Sequence, residues 1–409
     1  AFSDAAYLID YKLSSHKNVV NEVYATYLTR ETFFDARVRQ YNLLGDVALI
    51  SQLQQARSIP RIEAAHYIDL EENGQVRLSG TVHAIQRGAD ATATFNGVPY
   101  IFGYEETKVH ANVEGSWQNQ YVLPAGIVAT PYLGLRIDAS HYDGASALLA
   151  GPVSLLEATP IAAMDIRWPV VAVNGYDSHL FEPIAQLVYR GSSTTLAGIT
   201  NDDAQSFVFD DTLLFSYNRF SGNDRQETGL RANIGGRYLA NFEDGSWLQL
   251  IAGQSFHLAG ANALGIVDGA QTCNSTGLGM NPSYFVAGAQ ASLGGGVQVG
   301  AKGQFDPNTF RVMRATAAGR VGFDTGHNVG LAYTYIPANP AIGTIADQHE
   351  ATLSASGPLP FDYWFADGSV SWDIAQNTWL EARAGLTYDD GYLVVGGFGQ
   401  INGPTHAGA

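Results

Sequence analysis

The sequence has few positive charges, almost no cysteine and no long apolar run. Of its 409 residues only 22 are Lys or Arg, against 39 Asp or Glu, so the formal net charge is −17. This acidic balance argues against nucleic acid as a partner, because binding phosphates requires a basic surface. The one cysteine, Cys273, cannot form an internal disulfide. No run of about 18 or more apolar residues is present, which excludes a helical membrane protein.

Aromatic residues and glycine, in contrast, are plentiful. The chain has 21 Tyr, 19 Phe, 6 Trp and 45 Gly, and 46% of its residues are hydrophobic. A disordered chain would not carry so many aromatic residues. The mean hydropathy is nevertheless −0.05, so the hydrophobic residues are spread along the chain and not gathered into blocks. This composition predicts a folded protein rich in strands and turns.

Residues 226–238 show the main pattern of the sequence, an alternation with period two. One parity is apolar or small: Leu230, Ala232, Ile234, Gly236 and Tyr238. The other parity carries nearly all the charge: Glu227, Gly229, Arg231, Asn233, Gly235 and Arg237. Because successive side chains of a strand point to opposite faces, the segment is predicted to be a strand with one apolar and one polar face. The same split recurs in residues 34–39, 76–84, 297–304, 329–335 and 380–387.

Turn sequences separate these predicted strands. Hairpin connectors are predicted at residues 72–75, 243–246, 324–327 and 366–369, each of which contains Asn-Gly, Asp-Gly or Asp-Thr-Gly. Other connections, such as residues 191–211 and 259–282, are longer and polar. Short turns at one end and long loops at the other are typical of an outer-membrane barrel. Helical periodicity is weak everywhere, and residues 42–55 are the best helix candidate.

A soluble sandwich or a β-solenoid would also alternate. Three features favour a membrane barrel over both. The apolar parity contains many Gly, Ala, Val, Leu and Tyr residues and not the bulky set that a packed core needs. Aromatic residues lie near predicted strand ends, as in the aromatic girdles of barrels; examples are Tyr238, Phe242, Tyr333 and Tyr335. The polar parity mixes Arg, Lys, Glu, Asn and Gln, which a wet lumen allows and a dry core does not. We therefore expect an all-β fold, an antiparallel transmembrane β-barrel.

No motif in the sequence predicts an enzyme, a cofactor site or a metal site. His349 and Glu350 begin a zinc-protease motif, but Leu353 stands where its second histidine should be. Asp202, Asp203, Asp210 and Asp211 lie within ten positions of one another, and four carboxylates could hold Ca²⁺. Their spacing does not match an EF-hand loop, so a solvated face of a loop is the favoured interpretation.

A series of short motifs is more specific than the alternation. In chain order these are Arg167-Trp168-Pro169, Glu182-Pro183-Ile184-Ala185-Gln186, Asn201-Asp202-Asp203, Asp210-Asp211-Thr212, and Asn218-Arg219-Phe220-Ser221-Gly222-Asn223-Asp224-Arg225 followed by Glu227 and Arg231. Their content and order resemble the barrel of the LptD family, the LPS-assembly outer-membrane proteins also called organic solvent tolerance proteins, in its alphaproteobacterial form. The resemblance covers most of the chain.

The sequence departs from the family pattern at several positions. Thr200 stands where the family has Pro, and Leu213 where it has Asn. Gly391 and Tyr392 follow an Asp-Asp pair where the family has Cys, so the resemblance does not extend to the disulfides that link barrel and periplasmic domain in relatives. At about 20–24 residues per strand and connection, the chain provides roughly 17–20 strands of a very large barrel. We therefore expect residues 1–409 to be the C-terminal barrel region of a larger polypeptide, without the periplasmic jellyroll and some strands.

The resemblance implies a function without covalent chemistry. Family members are outer-membrane translocons that insert lipopolysaccharide (LPS) into the outer leaflet through a lateral seam of the barrel. The implied partners are LPS, the plug lipoprotein LptE, membrane lipid, and a periplasmic LPS-bridge protein that reaches the barrel through the jellyroll. A passive outer-membrane porin is the alternative, because it would share the alternation but not the motifs.

The candidate site residues are those of the family motifs and of the lumen-facing parity. They are Arg167, Trp168, Pro169, Glu182, Pro183, Gln186, Asp211, Asn218, Arg219, Asp224, Arg225, Glu227, Arg231 and Asn233; Arg190 and Arg237 share the same face. For any one of the lumen residues the favoured interpretation is that it hydrates the interior and pairs with its neighbours. Residues 210–212 and 218–225 are expected to shape a loop that folds into the lumen.

Overall fold

The computed structural model describes residues 18–43, 49–95, 98–144, 151–191, 200–203, 208–265, 276–339 and 346–403. Cys273 lies outside these described residues. Helix α1 (Leu49–Leu53) is short, and it occupies only part of the helix predicted over residues 42–55, because a strand continues to Leu43. None of the helices in the described part is long and apolar enough to span a membrane.

Strands account for most of the described residues. Before residue 200 they are β1 (Asn18–Leu28), β2 (Thr32–Leu43), β3 (Arg57–Asp69), β4 (Gln75–Arg87), β5 (Ala91–Phe95), β6 (Val98–Gly103), β7 (Glu106–Gln118), β8 (Tyr121–Val122), β9 (Val128–Asp143), β10 (Val153–Arg167), β11 (Val170–Asn174) and β12 (Asp177–Arg190). After it they are β13 (Gly229–Asn241), β14 (Trp247–Ala259), β15 (Phe285–Leu293), β16 (Val297–Phe305), β17 (Val312–Gly322), β18 (Asn328–Ile336), β19 (Gln348–Pro358), β20 (Trp364–Asp373), β21 (Thr378–Asp389) and β22 (Val394–Asn402). Five of the six segments that alternate in the sequence lie within strands, and the sixth, residues 226–238, is a strand from Gly229 onward.

Twenty strands, including the short β8 and β11, form one antiparallel sheet. The long strands follow one another as antiparallel neighbours from β1 to β22, and β5 and β6 form a separate hairpin. Among the described residues, β1 pairs only with β2, and β22 pairs only with β21. The prediction of an all-β antiparallel barrel sheet with roughly 17–20 strands is confirmed.

Connections differ in length between the two ends of the sheet. At one end they are short, as at residues 29–31, 70–74, 242–246, 294–296 and 323–327; at the other end the connections include residues 88–105, 191–228 and 260–284. The turn predicted at residues 366–369 is wrong, because these residues lie within β20. Gly368 pairs with Ala355 on one side and with Ala384 on the other. Continuous pairing with two neighbours outweighs the turn preference of Asp-Gly, and the turn lies at residues 359–363.

Burial runs opposite to that of a soluble β-protein. Ile234 is 55% exposed, whereas Arg231, three residues earlier on the same strand, is 2% exposed. On β9, Leu135 is likewise exposed and its neighbour Arg136 is buried. The exposed face of the sheet is therefore apolar and the enclosed face is polar. A sandwich core would bury the apolar set, so this distribution rules out the soluble alternative and fits a wall that faces lipid.

Candidate functional site

The enclosed face of the sheet holds a folded part of the chain itself. Residues 200–228, here called the inner segment, connect β12 to β13, and their described parts are 200–203 and 208–228. Their contacts reach side chains of β4, β7, β9, β12, β13, β14 and β16. Since these strands are successive or near neighbours in one sheet, the wall must curve around the segment.

A buried ion-pair cluster ties the start of the inner segment to its end. Asp224 accepts hydrogen bonds from Lys108 Nζ at 2.8 Å and pairs with His110 Nδ1 at 2.9 Å. Asp202 pairs with the same Lys108 and, at 2.6 Å, with Arg87 Nη2. The backbone N–H of Asp202 also donates to Asp224 at 2.8 Å. Cationic side chains of β4 and β7 thus hold together two carboxylates that are 22 residues apart.

A second cluster continues from the first along β9. Asp138 lies 2.9 Å from the other ring nitrogen of His110, and Arg136 binds the same carboxylate. Arg136 also donates to the backbone oxygen of Asn223 at 2.6 Å, and the Gln226 amide donates to Asp138 at 2.9 Å. His110 therefore bridges two carboxylates, and both clusters form one network that fixes residues 223–226 to the wall.

Arg219 is the most enclosed cation of the inner segment. Its guanidinium pairs with Glu227 at 3.0 Å and lies over the ring of Phe209, 5.1 Å from the centroid. Its other acceptors are the carbonyl oxygens of Leu213 and Leu214, Asn233 Oδ1 and Ser255 Oγ. One side chain thus satisfies several acceptors of the segment, of β13 and of β14 at once, which makes it a structural centre of the interior.

The inner faces of β12 and β13 bind the middle of the segment. Arg231 Nη2 donates to the carbonyl oxygens of Ser216 and Tyr217, at 2.7 and 2.8 Å. The Asn233 amide donates to Gln186 Oε1 at 2.7 Å. The parity of the sequence predicts the inward direction of Arg231, Asn233 and Gln186, and all of them are buried. Their partners are the segment and one another.

An apolar cluster fills the space beside Arg219. It consists of Phe209, Leu214, Phe220, Leu264, Leu278 and Val286. Three of these residues belong to the inner segment, two to the connection between β14 and β15, and one to β15. The segment therefore has its own small hydrophobic core within the polar interior. It is a folded element and not a hydrated loop.

The acidic residues at 202–211 are not a solvated loop face, so the favoured interpretation from sequence is wrong. The Asp202 side chain is 2% exposed, and Asp211 is buried. Lys302 of β16 pairs with Asp210 at 2.9 Å and with Asp211 at 3.4 Å. Among the residues that the structure describes, no group of His, Cys, Asp and Glu could hold a metal ion. Lysine and arginine side chains, and not a calcium ion, neutralise these carboxylates.

The pKa directions of the segment carboxyls follow from these contacts. Burial alone would raise the pKa of Asp224, but the charge of Lys108 and the hydrogen bond from His110 hold it well below its usual value. Asp202 behaves in the same way, with Lys108 and Arg87 lowering its pKa. Burial raises the pKa of Asp211, and Lys302 offsets only part of that effect. Asp202 and Asp224 are thus anions that neutralise buried cations.

The remaining motif residues lie away from the segment, where β10 gives way to β11. Arg167 ends β10, Pro169 cannot donate to a sheet hydrogen bond, and the N–H of Trp168 donates to the carbonyl of Pro183 on β12 at 3.1 Å. The Trp168 indole donates to Ala125 O at 3.0 Å. These motifs mark an interruption in the wall near the short connections.

Four charged side chains lie beside that interruption. Glu182 pairs with Arg237 at 3.0 Å and lies 3.9 Å from Arg167, which also binds Asp165 at 2.7 Å. The structure therefore divides the candidate residues into two groups. Asp211, Asn218, Arg219, Asp224, Arg225, Glu227, Arg231, Asn233 and Gln186 belong to the segment and its socket; Arg167, Trp168, Pro169, Glu182 and Pro183 belong to the strand interruption.

Sequence reasoning missed the wall side of the ion-pair network. Lys108, His110, Arg136 and Asp138 are buried polar residues on β7 and β9, and none of them belongs to the motifs. A signal was available, because Lys108, His110 and Asn112 alternate with apolar residues on β7. Asn112 pairs directly with Asp138 on β9. Parity indicates that these side chains share the inner face, but only the structure shows which part of the chain they meet.

Together, the apolar exterior, the polar interior and the uneven connections define an outer-membrane β-barrel protein with part of its own chain folded inside. The sequence profile of the LptD family, described as LPS transport system D, matches residues 1–377. The chain belongs to the LptD family. It is accordingly a protein of the bacterial outer membrane with a role in LPS transport.

Several solved outer-membrane proteins are similar to this chain. A porin mutant of Rh. blastica is 14% identical, with 73% of this chain and 88% of the porin covered and a TM-score of 0.30. The siderophore receptor PiuA of Acinetobacter baumannii is 10% identical, with 93% and 69% covered and a TM-score of 0.39. A mutant of the ferric enterobactin receptor PfeA of Pseudomonas aeruginosa is 10% identical, with 94% and 68% covered and a TM-score of 0.44. At these TM-scores the similarities carry no functional information. A comparison with curated proteins gives no match.

Proposed function

We propose that residues 1–409 form the barrel region of an LPS translocon that delivers LPS to the outer leaflet through a lateral opening between strands. The observation that carries the proposal is the family match over residues 1–377. The two faces of the sheet support it physically, because an amphipathic lipid needs an apolar surface for its acyl chains and a polar one for its saccharide. No covalent step is required.

Part of the inner face is not covered by the inner segment, which supports the binding of a partner protein inside the barrel. Contacts of the inner segment reach from β4 to β16, whereas no residue of β17 to β22 is buried in the described structure. Polar residues such as Glu381 and Arg383 lie on this second part of the wall. We assign this surface to the plug lipoprotein LptE, which the family resemblance implies. A periplasmic LPS-bridge protein would supply the substrate.

The inner segment argues against a passive porin. Its ion pairs and its apolar cluster occupy the space beside β7 to β14, where a diffusion channel would need water. A porin interior is polar and open, whereas Arg219 and Asp224 are buried within the interior of this barrel. The inner segment therefore closes its part of the interior to small solutes, and the proposed plug would close the rest.

Controlled depletion of the protein in its source bacterium tests the proposal. We expect LPS to disappear from the cell surface, measured with an impermeant label, while total LPS is maintained, and we expect the wild-type chain to restore it. The protein purified together with its plug lipoprotein should show little steady ion conductance in planar bilayers. Steady conductance together with unchanged surface LPS after depletion would overturn the proposal in favour of the porin.

A further inference from the structure

A polar cavity of about 390 Å³ lies between the wall and the start of the inner segment. Arg39 of β2, Arg61 of β3, and His83 and Arg87 of β4 line it on the wall side, and Asp202 of the segment lies opposite. The Arg87 side chain is 8% exposed, whereas those of Arg39 and Arg61 are 27% and 28% exposed. Three guanidinium groups therefore line one cavity, one of them deep and two nearer the opening.

The carboxylates that line this cavity are already engaged. Asp202 is shared between Arg87 and Lys108. Asp203 accepts hydrogen bonds from the backbone N–H groups of Asn223 and Asp224, at 3.0 and 2.9 Å. Arg39 and Arg61 each pair with a carboxylate outside the lining, Glu22 and Glu63, so the lining offers guanidinium N–H donors and not a net positive charge.

Several hydrogen-bond donors of the lining remain available. Arg39 donates to Glu22 at 3.1 Å and Arg61 donates to Glu63 at 2.7 Å, but a guanidinium has five N–H donors. Arg87 Nε is buried, and it has no hydrogen-bond partner in the described structure. A buried donor without a partner costs free energy. This lining therefore suits a ligand with several negatively charged acceptor oxygens.

We propose that this cavity binds a phosphate monoester. A phosphate presents oxygens to several guanidinium groups at once, and arginine matches its geometry. The cavity volume lies within the range of small-ligand sites, so it has room for a sugar attached to the phosphate. The source is the phosphorylated saccharide of LPS, a step that rests on the proposed function; free inorganic phosphate shares the same chemistry and is distinguished by experiment.

Calorimetric titration of the detergent-solubilised protein with glucose 1-phosphate tests the site. We expect saturable binding, and none with glucose. Arg39→Gln and Arg61→Gln should each weaken binding about tenfold, because each removes charge-assisted hydrogen bonds. Arg320→Gln on β17, which removes an arginine remote from the cavity, is the matched control and should change nothing. Heat-modified gel mobility confirms that each variant is folded. The proposal would be overturned if the wild type showed no saturable binding. It would also be overturned if folded Arg39→Gln and Arg61→Gln bound glucose 1-phosphate as tightly as the wild type.

Competition separates the two sources of phosphate. Displacement of glucose 1-phosphate by LPS, and not by enzymatically dephosphorylated LPS, supports the saccharide phosphate as the ligand. Displacement by inorganic phosphate and not by LPS overturns that assignment. If surface LPS is unaffected by depletion while Arg61-dependent binding persists, the proposed function fails and the anion site stands. If depletion removes surface LPS and glucose 1-phosphate does not bind, only the anion site fails.

Discussion

The wall from β7 to β14 and the wall from β17 to β22 follow the same sequence alternation but have different inner faces. On β7 and β12 the inward side chains, such as Lys108, His110 and Gln186, are buried against the inner segment. On β17 to β22 no residue is buried in the described structure. Alternation therefore determines which way a side chain points, whereas its burial depends on what another part of the chain places opposite it.

The two walls should also respond differently to substitution. A buried ion pair loses hydration when it forms, and removing one partner leaves the other charge buried and uncompensated. An exposed pair keeps its water, and its loss costs little. If the inner segment stabilises the first wall, substitutions there should weaken the barrel, and equivalent substitutions in the second wall should not.

The largest expected effect is that of Arg219→Ala. It removes one of the two arginines that pair with buried Glu227, and it takes a donor from the acceptors around it, so the free energy of unfolding should fall by about 3–5 kcal/mol. Urea unfolding of the protein in detergent, followed by tryptophan fluorescence, measures the change. Arg320→Ala on β17 is the control, with an expected change within about 1 kcal/mol. Equal losses in both variants would remove the distinction between the two walls.

Asp224→Asn should have a smaller effect, because the amide keeps the shape of the carboxyl. It removes the negative charge that Lys108 and His110 face, and we expect a loss of about 2–3 kcal/mol. The same unfolding measurement applies, with Asp324→Asn in the exposed turn between β17 and β18 as the control. An Asp224→Asn barrel as stable as the wild type would show that the network does not hold the segment.

The same carboxyl predicts the response to acid. The pKa of Asp224 is lower in the folded protein than in the unfolded chain, so its stabilisation is complete above about pH 4 and is lost as the pH falls through the lower, folded value. The unfolding temperature of the wild type should therefore drop on acidification below about pH 4. Asp224→Asn should show a shallower drop. Parallel pH profiles for the two proteins would contradict this assignment.

The sequence predicts the wall well and the interior only in part. Parity places Arg231 and Asn233 on the inner face, because each strand obeys a local rule that a single segment reveals. The partners of Asp202 lie on β4 and β7, more than 90 residues away, and no local rule connects them. The acidic residues near Asp202 in the sequence predict, on their own, that its side chain is exposed to solvent. The turn predicted around Gly368 is wrong for a related reason, because pairing with two neighbouring strands overrides the turn preference of Asp-Gly.

The smallest expected effect lies where the two walls meet, at Lys302 of β16. Its pairs with Asp210 and Asp211 are partly exposed, so Lys302→Gln should cost about 1 kcal/mol or less. The effect should be local: amide hydrogen exchange should speed up in residues 208–216 and stay unchanged in residues 223–228, which the Lys108 and Arg136 contacts hold. Arg320→Gln, one strand further on, should leave both regions unchanged. Faster exchange throughout residues 208–228 would show instead that the segment is released as one unit, and that its hold on the wall extends from β7 to β16.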